Sequence, residues 1–155
     1  MRALNLGLAL IVLSFTPGSS LASDASPIGR WLTIDDKDGK PRSVIAISDA
    51  GGVLQGTVAK IYDRPGDNPQ HLCRKCNVEL KDRPVIGMTI LNGLKADGDS
   101  WDGGTILDPD SGKIYSATIH LSDVGQKLVV RGYIGISLIG RSQTWIREGS
   151  VALSK

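Results

Sequence analysis

The sequence predicts an all-β fold: a single antiparallel, mostly up-and-down β-barrel of about eight strands. Three observations carry that prediction. The apolar segments are short and rich in Val, Ile and Thr, the composition of strands rather than helices. Clusters of Gly, Asp, Pro and Ser separate them at short intervals. No segment shows a convincing amphipathic helical period; GISLIG (135–140) reads as one helical turn at most.

The strands read in order as GRWLTI (29–34), SVIAIS (43–48), VLQGTVAKIY (53–62), VIGMTIL (85–91), SWDGGTIL (100–107), KIYSATIHL (113–121), KLVVRGYI (127–134) and SQTWIRE (142–148). Most connections carry turn chemistry, as in DDKDGK, SDAGG, ADGDS, DPDSGK and SDVGQ. There Asp caps the backbone and Gly accepts positive φ. The sixth strand alternates most clearly. Tyr115, Ala117, Ile119 and Leu121 share one face; Ser116, Thr118 and His120 share the other. One dry face and one wet face is the pattern of an antiparallel wall. Closure removes the exposed edges of such a meander, so a barrel is preferred to a two-sheet sandwich. Glycines inside the strands (Gly56, Gly87, Gly103, Gly104, Gly132) mark bends or bulges.

The N-terminus reads as a secretory signal peptide, residues 1–22. Arg2 precedes a short apolar run, Pro17 and Gly18 break it, and small residues lead to a cut after Ala22. Removing it leaves residues 23–155 as one barrel domain. The segment takes one arginine and no acid with it, leaving 17 basic against 16 acidic residues. That balance offers no electrostatic case for nucleic acid or for an anionic membrane surface. No second apolar stretch is long enough for an integral membrane span.

One connection breaks the rule of short turns. Residues 63–84 form a long loop containing Pro65, Pro69 and Pro84, with both cysteines, Cys73 and Cys76, in its middle. A c-type haem site is excluded because Asn77 follows the second cysteine. A zinc site finds three close ligands, His71, Cys73 and Cys76, and His120 is the only other histidine. A catalytic dithiol lacks the helix that normally presents its first cysteine, although Arg74 and Lys75 favour a thiolate. The preferred reading is a structural disulfide, because two cysteines in an exported chain normally pair.

No metal site and no cofactor motif is predicted. The Asp-Gly turns fail the calcium-loop spacing, since Ile34 or Leu107 falls where its first acid belongs. No nucleophile elbow, phosphate loop or His-Glu-x-x-His motif is present, and no catalytic residue is assigned. The aromatic and basic side chains are more informative. Trp31, Trp101, Tyr115, Arg131, Tyr133, Arg141, Gln143, Trp145 and Arg147 read either as a lining that orients a ligand or as a barrel-end cluster. In the second case Arg147, or Arg141, packs over Trp31.

Gly29-x-Trp31 with a late arginine resembles the lipocalin and calycin pattern, in which the first-strand tryptophan packs against that arginine and closes one barrel end. Nearly the whole mature chain resembles a family of exported bacterial proteins described as a domain of unknown function. GRWLTIDDKDGK, the CRKC loop with KDRPVIGMTIL, WDGGTILDPDSGKIYSATI and LVVRGYIGISLIGRSQTWIRE carry that resemblance. It implies a lipocalin-like barrel in the bacterial periplasm or medium, and it brings no activity with it. The leading expectation is therefore a non-enzymatic exported barrel that binds a small apolar or amphipathic molecule, since eight strands enclose room for one such ligand. The alternatives are an envelope scaffold with a filled barrel and a protein partner, and a thiol-redox protein using the Cys-x-x-Cys pair.

Overall fold

The computed structural model describes residues 25–150; the expected signal peptide lies outside them. Eight strands follow in order: β1 (Gly29–Ile34), β2 (Pro41–Asp49), β3 (Val53–Ile61), β4 (Thr89–Asp97), β5 (Ser100–Asp108), β6 (Lys113–Ser122), β7 (Lys127–Tyr133) and β8 (Gly140–Arg147). Each pairs antiparallel with the next, and β8 returns to β1, so the sheet is a closed barrel. The closing seam is short: only Trp31↔Arg147 and Leu32↔Ile146 are in register, where β6 and β7 pair over seven positions.

Alternation drives the closure. Ala117 and Ile119 of β6, and Leu128 and Val130 of β7, are buried, while His120 is exposed. The core is filled with side chains, led by Trp31, Trp145, Ile45, Leu91, Leu94, Ile119 and Leu128. Turns use the caps their sequences promise. Asp35 Oδ1 accepts from the Lys37 amide (2.8 Å), and Asp49 Oδ1 accepts from the Gly52 amide (2.6 Å). Register slips at Gly56 and between Trp101 and Gly104 give the wall its curl.

Two boundaries differ from expectation. The fourth strand is Thr89–Asp97, not 85–91. Gly87 adopts φ 87° and the Met88 amide turns back to the Val85 carbonyl (3.0 Å), which keeps 85–88 out of the regular ladder. The strand then runs through Asn92-Gly93, absorbing a glycine at φ 78°. The long connection is therefore 62–88. Residues 135–139 form a hydrogen-bonded turn rather than a helical one, with the Ile139 amide on the Ile136 carbonyl (3.1 Å), and Gly140 already opens β8. This β7–β8 connection leaves Ile134, Ile136, Leu138 and Ile139 exposed.

An up-and-down path sorts the connections between two ends. The 62–88 segment gathers at one end with the β1–β2, β5–β6 and β7–β8 connections. The other end holds the remaining turns and the entry to β1.

Candidate functional site

At the entry end the barrel is sealed. Trp31 is fully buried, and its Nε1 donates to the Pro27 carbonyl (2.8 Å). The Arg147 guanidinium lies 4.2 Å from the Trp31 ring centroid, a cation–π stack. Its nitrogens donate to three carbonyls: Gly125 (2.8 Å), Ile28 (3.3 Å) and Ser26 (2.7 Å). Gly29 is needed beside it, because a Cβ there would sit 3.0 Å from Arg147 Nη1 and the residue adopts φ 135°. Trp145 is buried in the same core, its Nε1 donating to Gln143 Oε1 (3.3 Å).

The other end is open and lidded. A cavity of about 380 Å³ lies between the strand ends and the 62–88 segment. Val58, Ile61 and Ile90 give it an apolar floor, Leu72 and Val85 line it from the 62–88 segment, and Arg42, Asp67, Asn68, His71 and Asp110 give it a polar rim. Ile90 reaches the floor because the pairing skips it: Gly56 faces Leu91 and Thr57 faces Thr89. That bulge buries both Ile90 and Leu91 in one core.

Ion pairs hold the lid down. Arg42 binds Asp67 through both guanidinium nitrogens (2.6 and 3.2 Å) and reaches Asp110 of the β5–β6 turn at 4.0 Å. The Arg42 guanidinium, aided by the Arg64 amide, holds the Asp67 carboxyl below its ordinary range. Arg64 in turn donates to Asp35 (2.7 Å) and Asp38 (3.3 Å), tying the lid to the β1–β2 loop. The Lys37 amide and then Arg64 lower the Asp35 pKa likewise. Asn68 Oδ1 accepts from the Gln70 amide (3.2 Å), which leaves Asn68 Nδ2 as the one buried side-chain polar atom without a partner among the described residues.

Cys73 and Cys76 form a disulfide with Cα atoms 5.5 Å apart, and both are buried. The bridge tips a small hairpin pinned by the Leu72↔Pro84 bridge and by the Cys73 amide on the Arg83 carbonyl (2.9 Å). That hairpin lies hard against the β5–β6 turn. A Cβ on Gly112 would fall 1.9 Å from the Lys75 carbonyl oxygen, so only glycine fits. His71 Nε2 contacts Asp63 Oδ1 (2.6 Å), and no cluster of three His, Cys, Asp or Glu able to hold a metal ion occurs among the described residues.

The structure therefore scatters the nine aromatic and polar candidates. Trp31 and Arg147 meet at the sealed end, and Trp145, bonded to Gln143, is buried in the same core. Arg141, the alternative partner for Trp31, instead pairs with Asp36 at the open end, because β8 starts there and finishes at the seal. Trp101 packs against the core from β5, and Tyr115 is partly buried opposite Ile106. Arg131 donates to the Ser137 carbonyl (2.7 Å) and Ser142 Oγ (3.1 Å), bracing the β7–β8 connection. Tyr133 ends β7 opposite Ser116; Asp102 instead accepts from the Thr118 hydroxyl (2.7 Å) and the Gly103 amide (2.6 Å), which lower its carboxyl pKa in that order. None of the nine lines the cavity. The lining residues Arg42, Asp67 and Asn68 carried no motif; their one sequence signal was the length of the connection they serve.

No curated protein matches the chain. A solved structure described as "Protein HP1028 from the human pathogen Helicobacter pylori belongs to the lipocalin family" is similar, with a TM-score of 0.69 and 19% identity. The match covers 83% of this chain and 87% of that one, and it is a likeness of fold. A family model described as "Uncharacterized protein conserved in bacteria (DUF2147)" matches residues 29–147. Those residues run from the glycine beside Trp31 to the arginine stacked upon it, and the chain belongs to that bacterial family.

Proposed function

We propose that this protein is an exported, periplasmic binding protein, not an enzyme, that holds one small apolar or amphipathic molecule at the open end of its barrel. The observation that carries the reading is the cavity of about 380 Å³, apolar below and polar at its rim, under a lid fastened by ion pairs. Its volume is within the range of small-molecule sites. At roughly 30 Å³ per water-sized group it takes about a dozen non-hydrogen atoms. An apolar body against Val58, Ile61 and Ile90 with a polar head toward Asn68 and His71 matches both surfaces.

The redox alternative finds little support. Cys73 has no exposed surface and Cys76 only 7%, and thiol–disulfide exchange needs access to a sulfur. The interaction alternative has a specific observation in its favour, the exposed aliphatic side chains of the β7–β8 connection.

The test is binding of 1-aminonaphthalene, followed by fluorescence, to wild type and to Leu72→Trp and Ile61→Trp, which fill the cavity from lid and wall. Saturable binding in the wild type, weakened about tenfold or more in folded variants, is expected. Binding absent from the wild type, or unchanged in both variants, overturns the reading. Native mass spectrometry of protein purified from its bacterial host without stripping would identify a retained ligand.

A further inference from the structure

The exposed apolar side chains are not spread evenly over the molecule. Nine large ones are exposed among the described residues. Ile28 and Val124 lie at the sealed end; the other seven lie at the open end. They are the four of the β7–β8 connection, Ile114 near the start of β6, and Ile86 and Val78 of the 62–88 segment. The register brings two of these groups together: Ser116 faces Tyr133, so Ile114 lies beside the start of the β7–β8 connection.

Charge is distributed just as unevenly. At the open end the acids Asp35, Asp36, Asp38 and Asp67 are each engaged by an arginine, Asp110 reaches Arg42 at 4.0 Å, and Asp63 contacts His71. The disulfide hairpin instead exposes Arg74, Lys75, Lys81 and Arg83 against Glu79 and Asp82, none of them in an ion pair among the described residues. Val78, 92% exposed, stands among these cations. Aliphatic tips flanked by unpaired cations match the two zones of an anionic lipid surface, acyl chains and headgroups.

We infer that the open end docks on a lipid bilayer bearing anionic headgroups, with the β7–β8 connection dipping into the acyl boundary and the disulfide hairpin on the headgroups. Taken with the proposed binding function, on which this last step rests, the cavity mouth then faces the membrane. An amphiphile passes between bilayer and cavity without crossing water. A second copy of the chain is the less suitable occupant, because it would set the cationic hairpins against like charge.

The experiment is co-sedimentation of the purified protein with vesicles of equimolar phosphatidylcholine and phosphatidylglycerol, and with vesicles of phosphatidylcholine alone. Binding is expected to the mixed vesicles, weakened by salt, and reduced about tenfold by the pair Ile136→Ser and Leu138→Ser. Lys75→Glu with Lys81→Glu should abolish the preference for anionic lipid. Val124→Ser, at the sealed end, should leave binding unchanged. No sedimentation with either vesicle, equal loss in Val124→Ser, or a concentration-dependent dimer that disappears with Leu138→Ser in place of vesicle binding each overturns the inference. All variants are expected to retain 1-aminonaphthalene binding in solution. Failure on vesicles with that binding intact therefore sinks the docking surface and leaves the cavity standing.

Discussion

Arg147 shows how much one side chain contributes to a barrel. It stacks on Trp31 and satisfies three carbonyls that the turn after β6 and the entry to β1 would otherwise leave facing each other. Arg147→Ala removes the stack and strands those acceptors. It is expected to destabilise the fold by roughly 2–3 kcal/mol, lowering Tm by about 5–10 °C in thermal denaturation. Arg147→Lys should recover only part, because a point charge cannot address three diverging carbonyls. At this scale the sequence was informative for the seal and silent for the cavity. Gly29, Trp31 and a late arginine, Arg147 or Arg141, resemble a known family pattern. Arg42, Asp67 and Asn68 are ordinary polar residues whose meeting depends on how a long connection folds back.

Among the elements, the strands were legible and the long connection was not. Alternation in β6 and β7 marks the inward face directly, since the side-chain period of a strand is two. The fourth strand was misplaced because its first apolar residues are buried in two ways: Val85 within the lid, its amide on the His71 carbonyl, and Met88 against β3, its carbonyl accepting from the Val58 amide beside the turn at Gly87. Burial alone does not distinguish those two causes. The disulfide closes a ring spanning only three positions in sequence, so its entropic contribution is about 2 kcal/mol. Its larger effect is on the lid. Cys73→Ser with Cys76→Ser is expected to leave the far-UV spectrum of the barrel intact. Hydrogen exchange at the amides of Cys73, Asp82 and Val85, which are bonded within the hairpin or to its base, should quicken. Unchanged exchange there would show that packing against Gly112 alone holds the hairpin.

For the whole molecule, acid stability follows from two carboxylates that fasten the open end, Asp67 and Asp35, and one in the β5–β6 wall, Asp102, which accepts from the Thr118 hydroxyl. Asp67, Asp35 and Asp102 have folded pKa values below their unfolded ones. Each therefore contributes stability that is present above the ordinary carboxylate range and is lost as pH falls through the lowered folded value. Thermal stability is expected to stay level from about pH 7 to about pH 5 and to fall below about pH 4. Asp67→Asn should lower stability at neutral pH and flatten part of that acid decline. An identical acid profile in Asp67→Asn would show that the Arg42 pair makes no contribution to it.

The amino-acid sequence by itself determined that this chain is an all-β meander and that its walls have one apolar face. Those properties are local or periodic: turn chemistry acts within a few residues, and alternation repeats along every strand. Only the tertiary structure decided that one end is sealed while the other holds a cavity, that Arg141 and Arg147 part to opposite ends, and that a chain of nearly balanced charge presents unpaired cations and aliphatic tips on one face. Each of these depends on closure, which brings side chains distant in sequence within a few ångströms and lets ion pairs cancel some charges while leaving others free.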